Sequence, residues 1–302
     1  MKLLKGVITA MTTPFDENDN IDSEAIKEQT EFLISKGVDA LYPCGTTGEM
    51  LLMSVEERKT VAETVVKQAR GRVTVYIHVG AMTQKNTVEL AKHAYEIGAD
   101  GIGVVTPVFF HMTDEELINY YSTIAHSVPE TFPIYLYAIP QLAKNDITAE
   151  LAQKLAAANK NIVGIKYSYP DTERIQDLLR VNEGKFSVVM GPDRLFLPGL
   201  LMGCSGTVSG CSGPMPEFFV EIYKAYLAGN MERAAQIQRD AIPAIKALRG
   251  GSRLEIFKET LNMRGLKGGH VRAPLLDLSD EERPAIQQEI YTHLEKIKEI
   301  LN

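Results

Sequence analysis

The chain has 302 residues, of which 45% are hydrophobic, and it carries a formal net charge of −7 at pH 7. This length exceeds that of a small domain and suits one large α/β barrel with an appendage. The acidic balance argues against a broad surface for nucleic acid or for an anionic membrane. No apolar run approaches the roughly 18 residues that span a bilayer. We therefore expect neither nucleic acid nor a membrane as a partner.

Cysteine and histidine content bears on compartment and metal binding. Cys44, Cys204 and Cys211 are odd in number and lack metal-ligand spacing, so we expect reduced thiols in a cytoplasmic protein. The stretch Met1–Gly6 has too few apolar residues for a signal peptide. The six histidines are scattered without a His-Glu-x-x-His pattern, so the sequence does not predict a metal site.

Short runs of β-forming residues alternate with amphipathic segments along the first three quarters of the chain. The predicted strands are Gly6–Met11, Ala40–Pro43, Val73–Val79, Gly101–Thr106, Pro133–Ile139, Ile162–Tyr167, Ser187–Met190 and Gly206–Ser209. Between the first two strands, Ile26, Thr30, Leu33 and Ile34 recur at the spacing of one helical face. This alternation predicts consecutive strand–helix units.

Helix ends are marked by capping residues. Capping boxes predict helix starts at Ser54 with Glu57, Thr113 with Glu116 and Ser279 with Glu282. Glycines predict helix ends at Gly37, Gly71 and Gly98.

Eight strand–helix units of this size predict a (β/α)8 TIM barrel in residues 1–229. An open doubly wound sheet is the alternative, because local pattern alone does not establish closure. Pro216–Ala228 is predicted to be the eighth barrel helix, and strand signals cease after Gly229. Further helices are predicted near 230–248, 253–264 and 281–301. We therefore expect residues 230–302 to form a C-terminal helical appendage on the barrel.

Lys166 stands in the otherwise apolar predicted strand Ile162–Tyr167. Fully buried lysines are rare unless they are paired, because removing an ammonium from water costs several kcal/mol. A lysine held out of water tends towards its neutral amine, which is a nucleophile toward carbonyl groups. The alternative is a lysine on an edge strand whose stem extends to solvent.

The second predicted strand ends in the run Gly45-Thr46-Thr47-Gly48-Glu49. In (β/α)8 barrels the reacting groups lie at the C-terminal ends of the strands. Glycines let the backbone approach a ligand closely, and hydroxyls with free amides can hold a carboxylate. The alternative is a tight turn in which Thr46 or Thr47 caps the next helix.

The fifth predicted strand carries Tyr135 and Tyr137 on one face, with Tyr137 nearer the catalytic end. A phenol there can carry protons, although buried tyrosines more often only satisfy a hydrogen bond. A glycine-rich stretch, Gly203–Gly210, accompanies the eighth strand but lacks the Gly-Lys-Ser/Thr ending of a phosphate loop. A nucleotide-binding or phosphate-binding barrel is therefore disfavoured.

Three motifs occur in order: Gly-Thr-Thr-Gly-Glu on strand two, Tyr-x-Ile-Pro on strand five and Gly-Ile-Lys on strand six. Together they resemble the pyruvate-handling class I aldolases, the family that includes dihydrodipicolinate synthase and N-acetylneuraminate lyase. The resemblance covers essentially the whole chain, including Ala10–Phe15 near the N-terminus and the helical C-terminal segment. It implies a (β/α)8 barrel, a small 2-oxo acid substrate and a homotetramer built from two tight dimers.

The resemblance also implies residue roles. Lys166 would form a Schiff base with the keto carbon of pyruvate or another 2-oxo acid, so that no external cofactor is needed. Tyr137 would be the general acid and base, and the Thr46 hydroxyl would relay protons.

A substrate cradle follows from the same resemblance. Thr47, with neighbouring amides such as that of Gly45, would bind the pyruvate carboxylate. The backbone of Val208, on strand eight, would line the pyruvate pocket.

Three positions depart from the family pattern. Phe109 stands where many members carry a tyrosine that reaches into the neighbouring subunit's site, and phenylalanine cannot relay a proton. Leu142 stands where dihydrodipicolinate synthases typically place an arginine for the aldehyde's carboxylate, whereas neuraminate lyases tolerate leucine. Asp193 fits a loop that binds sugar hydroxyls in the lyases, but Arg194 replaces an expected acidic residue.

These observations predict a lyase that cleaves or condenses pyruvate with an aldehyde, the larger substrate being a sugar acid such as N-acetylneuraminate or a 2-keto-3-deoxy acid. Related members dehydrate or deaminate 2-oxo acids through the same imine, so these reactions are alternatives to aldol cleavage or condensation. Dihydrodipicolinate synthase is the alternative enzyme. A non-catalytic 2-oxo acid binding protein is an alternative of another class.

Overall fold

The computed structural model describes residues 1–301. Eight parallel strands close into a barrel in which each strand pairs with the next and β8 pairs with β1. The strands are β1 Gly6–Ala10, β2 Ala40–Tyr42, β3 Thr74–His78, β4 Gly101–Val105, β5 Ile134–Ala138, β6 Ile162–Tyr167, β7 Ser187–Met190 and β8 Gly206–Ser209. Each lies within its predicted run. The predicted (β/α)8 barrel is therefore confirmed, and the open sheet was the wrong alternative.

Twelve α-helices are assigned within residues 1–301. Nine accompany the barrel strands: α1 Ser23–Ser35, α2 Val55–Ala69, α3 Gln84–Glu96, α4 Asp114–Ala125, α5 Pro140–Ala143, α6 Ala149–Ala158, α7 Thr172–Leu178, α8 Phe196–Met202 and α9 Pro216–Leu227. Three follow: α10 Met231–Ala247, α11 Leu254–Met263 and α12 Arg283–Leu301. None of the helices within residues 1–301 is both long enough and apolar enough to cross a membrane.

Capping residues start and end the helices largely as predicted. Reciprocal capping boxes are present at Ser54 with Glu57 and at Thr113 with Glu116. At Ser279 the hydroxyl accepts a hydrogen bond from the Glu282 amide, but the Glu282 carboxylate contacts that hydroxyl and not the Ser279 amide. The helix there begins at Arg283, two residues later than predicted. Left-handed glycines follow α1, α2 and α3 at Gly37, Gly71 and Gly98.

The C-terminal helices pack on the outside of the barrel. Helix α10 packs against α9, and α12 packs against α10 and α11. Arg264, after α11, donates to a carboxylate oxygen of the buried Glu217 on α9 at 2.5 Å and to the Pro214 carbonyl at 2.8 Å. A division into a 1–229 barrel and a 230–302 appendage remains a proposal, because these contacts tie the two segments closely together.

Tyrosines fill much of the barrel interior, and glycines make room for them. A Cβ atom added to Gly103 would lie only 1.7 Å from the nearest atom of Tyr42. The corresponding distances are 2.4 Å between Gly101 and Tyr76 and 2.6 Å between Gly164 and Tyr135. The Tyr135 hydroxyl accepts from the Leu4 amide at 3.0 Å, and the Tyr76 hydroxyl donates to the Lys2 carbonyl at 2.5 Å. The N-terminal segment and these rings therefore close the end of the barrel opposite the C-terminal strand ends.

Adding one methyl group at this interior should be costly. We expect Gly103→Ala to lower the free energy of unfolding by about 1–3 kcal/mol, the usual cost of overpacking a core, because the new Cβ overlaps the Tyr42 hydroxyl. Urea denaturation measures the change. The cost should shrink in a Tyr42→Phe background, which removes the nearest atom. Equal costs in both backgrounds would contradict this explanation.

Candidate active site

Lys166 and Tyr137 lie side by side on β6 and β5 at the C-terminal end of the barrel. The two residues are register partners in neighbouring strands. Lys166 is only 5% exposed, so the interpretation as a lysine extending to solvent was wrong. Its Nζ atom lies 3.9 Å from the centroid of the Tyr137 ring and 5.2 Å from that of Tyr42. An amine and a phenol are thus held together out of water.

Tyr137 connects this lysine to the strand-two motif. Its hydroxyl lies 3.3 Å from Thr46 Oγ1, a distance that lets either group donate. Burial acts to raise the pKa of Tyr137, but the nearby Lys166 charge and hydrogen bonding with Thr46 outweigh it, so the pKa falls below its ordinary value of 10. A phenol with a lowered pKa releases its proton more readily, and its pKa lies closer to the neutral pH at which proton transfer is most efficient.

Residues 45–49, which we call the threonine turn, follow β2. The Gly48 and Met50 amides donate to the Gly45 carbonyl, and the Glu49 amide donates to the Thr46 carbonyl at 3.1 Å. Helix α2 is capped by Ser54, so the capping role considered for the two threonines was wrong. Thr47 Oγ1 lies close to Gly210, the residue after β8. A Cβ atom added to this glycine would lie 3.0 Å from the Thr47 hydroxyl oxygen. The turn therefore presents its hydroxyls to the barrel mouth.

The loops after β7 and β8 bring further predicted residues to this end. Val208 is buried in the interior cluster, where β8 pairs with β1. Asp193 follows β7, and its Oδ1 atom is buried without a hydrogen-bond partner among residues 1–301. Loss of water raises the pKa of Asp193, and polar contacts with Cys211 and Ser209 and the Lys166 charge offset this only in part. Arg194 is exposed beside it.

Phe109 and Leu142 are predicted substrate-binding residues that lie apart from this buried group. Phe109 is 75% exposed and has a left-handed backbone with φ of 77°. Leu142, on α5, is 62% exposed. Both stand at the same end of the barrel, but within one chain neither is packed beside Lys166.

His78, at the end of β3, is a neighbour that sequence reasoning missed. Its ring packs edge-on against Tyr137, with centroids 5.7 Å apart. The Val105 amide donates to Nε2 at 3.3 Å, so Nε2 carries no proton and Nδ1 donates to the Cys44 carbonyl at 2.9 Å. Burial, followed by the charges of Arg58 and Lys166, holds the pKa of His78 well below its ordinary value. The signal available was a titratable residue in an apolar strand, as for Lys166.

Tyr42 is a second neighbour of Lys166 that could not be recognised from the sequence pattern. It lies beneath Lys166, and its hydroxyl has no hydrogen-bond partner in the described chain. Aromatic faces attract cations, so the two rings around Lys166 suit an ammonium or a protonated imine.

Across residues 1–301, no group of three or more His, Cys, Asp or Glu side chains is placed to hold a metal ion.

Comparisons with known proteins identify the family to which this chain is similar. The model of the dihydrodipicolinate synthetase family matches residues 3–293. An N-acetylneuraminate lyase from Mediterraneibacter gnavus is 33% identical over 94% of this chain and 90% of its own length. A 4-hydroxy-tetrahydrodipicolinate synthase 1 from Halalkalibacterium halodurans is 36% identical over 93% of this chain and 94% of its own. A solved structure of a Ruminococcus gnavus sialic acid aldolase, a catalytic lysine mutant, is 32% identical with a TM-score of 0.91, covering 98% of this chain and 100% of that one.

The family match spans nearly the whole chain, and both curated relatives exceed 30% identity over almost all of it. These relatives carry two different enzyme names, so similarity identifies the family and leaves the substrate open. The chain belongs to the dihydrodipicolinate synthetase family, whose members are lyases of the class I aldolase type that act through a covalent lysine–pyruvate imine without an external cofactor.

Proposed function

We propose that Lys166 is the imine-forming lysine of a pyruvate-dependent lyase whose second substrate half is a hydroxylated aldehyde. The observation that carries the proposal is the buried contact between the Lys166 amine and the Tyr137 ring at 3.9 Å, with Thr46 within 3.3 Å of the Tyr137 hydroxyl. A nucleophile, a proton carrier and a relay hydroxyl are the three groups that imine chemistry requires.

The chemistry follows from these positions. Lys166 attacks the keto carbon as the free amine, after its ammonium has lost a proton to water. Proton transfer from the nitrogen to the oxygen then gives a carbinolamine, whose hydroxyl leaves as water after receiving a proton from Tyr137. The cationic imine then withdraws electrons from the bond to be broken. In cleavage, the Tyr137 phenolate takes the proton from the substrate hydroxyl as the carbon–carbon bond breaks to give an aldehyde and an enamine. Protonation of the enamine and hydrolysis release pyruvate and restore the amine.

The threonine turn and β8 are proposed to hold the carboxylate of the 2-oxo acid. Thr47 and the turn at Gly45 offer a hydroxyl and backbone amides, and the Val208 backbone forms the opposite wall. Such a cradle fixes the keto carbon relative to the amine, which is how bound geometry accelerates a bimolecular step.

Asp193 and Leu142 support a hydroxylated substrate over aspartate semialdehyde. The buried Asp193 Oδ1 atom lacks a partner among the described residues, so a substrate hydroxyl can satisfy it. Leu142 offers no charge to a second carboxylate. The exposed Arg194 has a planar fork that suits a carboxylate further out, as in a sugar acid. Dihydrodipicolinate synthase activity stays the alternative because a relative at 36% identity bears that name.

We also propose that the protein is cytoplasmic and assembles into a homotetramer, as the family resemblance implies. Support for self-association comes from large apolar side chains exposed in the segments that follow strands β2, β3, β4 and β5. They are Leu51 at 53%, Met82 at 65%, Phe109 at 75%, Phe110 at 67% and Leu142 at 62% exposure. Side chains of this size are seldom left together in water.

Trapping with pyruvate and borohydride should label Lys166. Reduction of the imine adds one three-carbon acid per chain, which peptide mass mapping locates. Lys258 provides an internal control, because it is equally buried but its Nζ atom is held by Glu49 at 2.6 Å. Lys166→Met should abolish both label and turnover. A label on another lysine, with Lys166 unmodified, would show that the imine forms elsewhere.

Tyr137→Phe should lower kcat by about 10²–10⁴-fold, the usual range for a lost general acid or base, with the fold intact. In the parent protein, the limb of the pH–kcat profile that reports the ionisation of Tyr137 should lie below pH 10, because the pKa of Tyr137 is lowered. Tyr121→Phe is a matched control, because this tyrosine is also buried and its hydroxyl donates to a backbone carbonyl, that of Val104, at 3.1 Å. Comparable kcat values for Tyr137→Phe and Tyr121→Phe would place the proton carrier elsewhere.

Substrate choice can be tested by comparing pyruvate release from a panel of 2-keto-3-deoxy sugar acids and sialic acid with condensation of pyruvate and aspartate semialdehyde. We expect cleavage of a sugar acid and weak or absent condensation, because a charged hydrogen bond worth about 1.5–3 kcal/mol is missing at Leu142. Leu142→Arg should raise the condensation activity, and Asp193→Asn should raise KM for the sugar acid. Efficient condensation by the parent would falsify the sugar-acid assignment.

A further inference from the structure

The threonine turn is bounded by two strained residues. Cys44, before it, has φ of 62°, and Glu49, at its end, has φ of 59°. Side chains other than glycine rarely adopt this left-handed conformation, and they keep it only where the surrounding structure imposes it. Contacts with the surrounding structure must therefore hold Glu49 in this backbone conformation.

The Glu49 carboxylate is buried and is held entirely by the C-terminal segment. Its Oε1 atom accepts from Lys258 Nζ at 2.6 Å, and its Oε2 atom accepts from the Arg272 amide at 2.8 Å. Lys258 is 1% exposed, donates also to the His270 carbonyl and lies 4.7 Å from the Phe15 ring centroid. A buried charge pair with all its partners present is a rigid support, because neither charge can move without losing compensation.

This support connects directly to Thr46. The Glu49 amide donates to the Thr46 carbonyl at 3.1 Å, so the position of Glu49 sets that of Thr46. Thr46 Oγ1 in turn lies 3.3 Å from the Tyr137 hydroxyl. Phe257, the neighbour of Lys258 on α11, packs near Gly210 beside Thr47. Helix α11 therefore reaches the catalytic end of the barrel from outside.

We propose that Lys258 and Glu49 are positioning residues, a buried ion pair through which α11 fixes the threonine turn so that Thr46 reaches Tyr137. This inference rests on the proposed roles of Thr46 and Tyr137. Lys258 touches neither reacting atom. Its effect passes through Glu49, and the C-terminal helices are thereby part of the catalytic geometry.

The test variant is Glu49→Gln/Lys258→Met, which removes both charges together and so leaves no unpaired buried charge. The matched control is Glu217→Gln/Arg264→Met. It removes a second ion pair, at 2.5 Å, between the same C-terminal segment and α9. Glu217 also pairs with Lys36 at 3.0 Å, and neither Glu217 nor Arg264 forms a hydrogen bond with the threonine turn. Thermal unfolding should show both variants folded. Glu49→Gln alone, which keeps an acceptor for Lys258, serves if the double variant does not fold, and should give a smaller effect in the same direction.

We expect kcat of the test variant to fall about 10–100-fold, the scale of a misplaced catalytic group, while borohydride trapping of pyruvate on Lys166 persists. The control should keep kcat within about twofold of the parent. The pH limb governed by Tyr137 should move upward in the test variant alone, because hydrogen bonding with Thr46 helps to lower that pKa. In a crystal structure of the test variant, Thr46 Oγ1 should lie beyond hydrogen-bonding distance of the Tyr137 hydroxyl. In the control variant the two atoms should stay within that distance.

The outcomes separate this inference from the proposed function. Failure to trap pyruvate on Lys166 in the parent protein would overturn the proposed function. In that case the distance between Thr46 Oγ1 and the Tyr137 hydroxyl in the crystal structures still decides whether the ion pair holds Thr46 in place. Equal kcat losses in test and control variants, or an unchanged Thr46–Tyr137 distance with an unshifted pH limb, would overturn the positioning role and leave the imine assignment standing.

Discussion

The chemistry of this protein depends on one constraint, which is that an amine must be kept inside a barrel and still be reachable by a carbonyl. Lys166 meets the first half of this constraint by standing among apolar residues on β6, 5% exposed. The faces of Tyr137 and Tyr42 supply the attraction that a cation otherwise finds in water. The second half is met because strand ends converge at the barrel mouth, where hydroxyls and amides can hold a substrate.

Much of this arrangement could be predicted because it is encoded locally. Strand positions follow from short apolar runs, and helix starts at Ser54 and Thr113 follow from capping boxes, so the order of units and the barrel were accessible from the sequence. Lys166, Tyr137 and Thr46 come together because each lies near or just beyond the C-terminal end of a predicted strand. Barrel closure converts three separate positions in the chain into one site.

What escaped prediction depends on contacts between distant segments. Lys258 and Glu49 are 209 positions apart, and nothing in the pattern around either one indicates the other. The tautomer of His78 is fixed by the Val105 amide on β4 and the Cys44 carbonyl after β2, which become neighbours only in the folded barrel. The choice of substrate could not be predicted for another reason. Asp193, Arg194 and Leu142 lie in the short segments that follow β7 and β5, where the fold imposes few requirements on side-chain identity.

The tyrosine-filled interior has a consequence for the order of events. Tyr42, Tyr76 and Tyr135 fill the barrel interior, and residues 2–4 close the end opposite the site, so that a substrate has to approach from the C-terminal ends of the strands. In the proposed reaction, a substrate joined to Lys166 through its keto carbon would lie with that carbon deepest in the site and its other half nearer the opening. The aldehyde fragment would then leave first, and the lysine would be regenerated last, after water reaches the imine carbon.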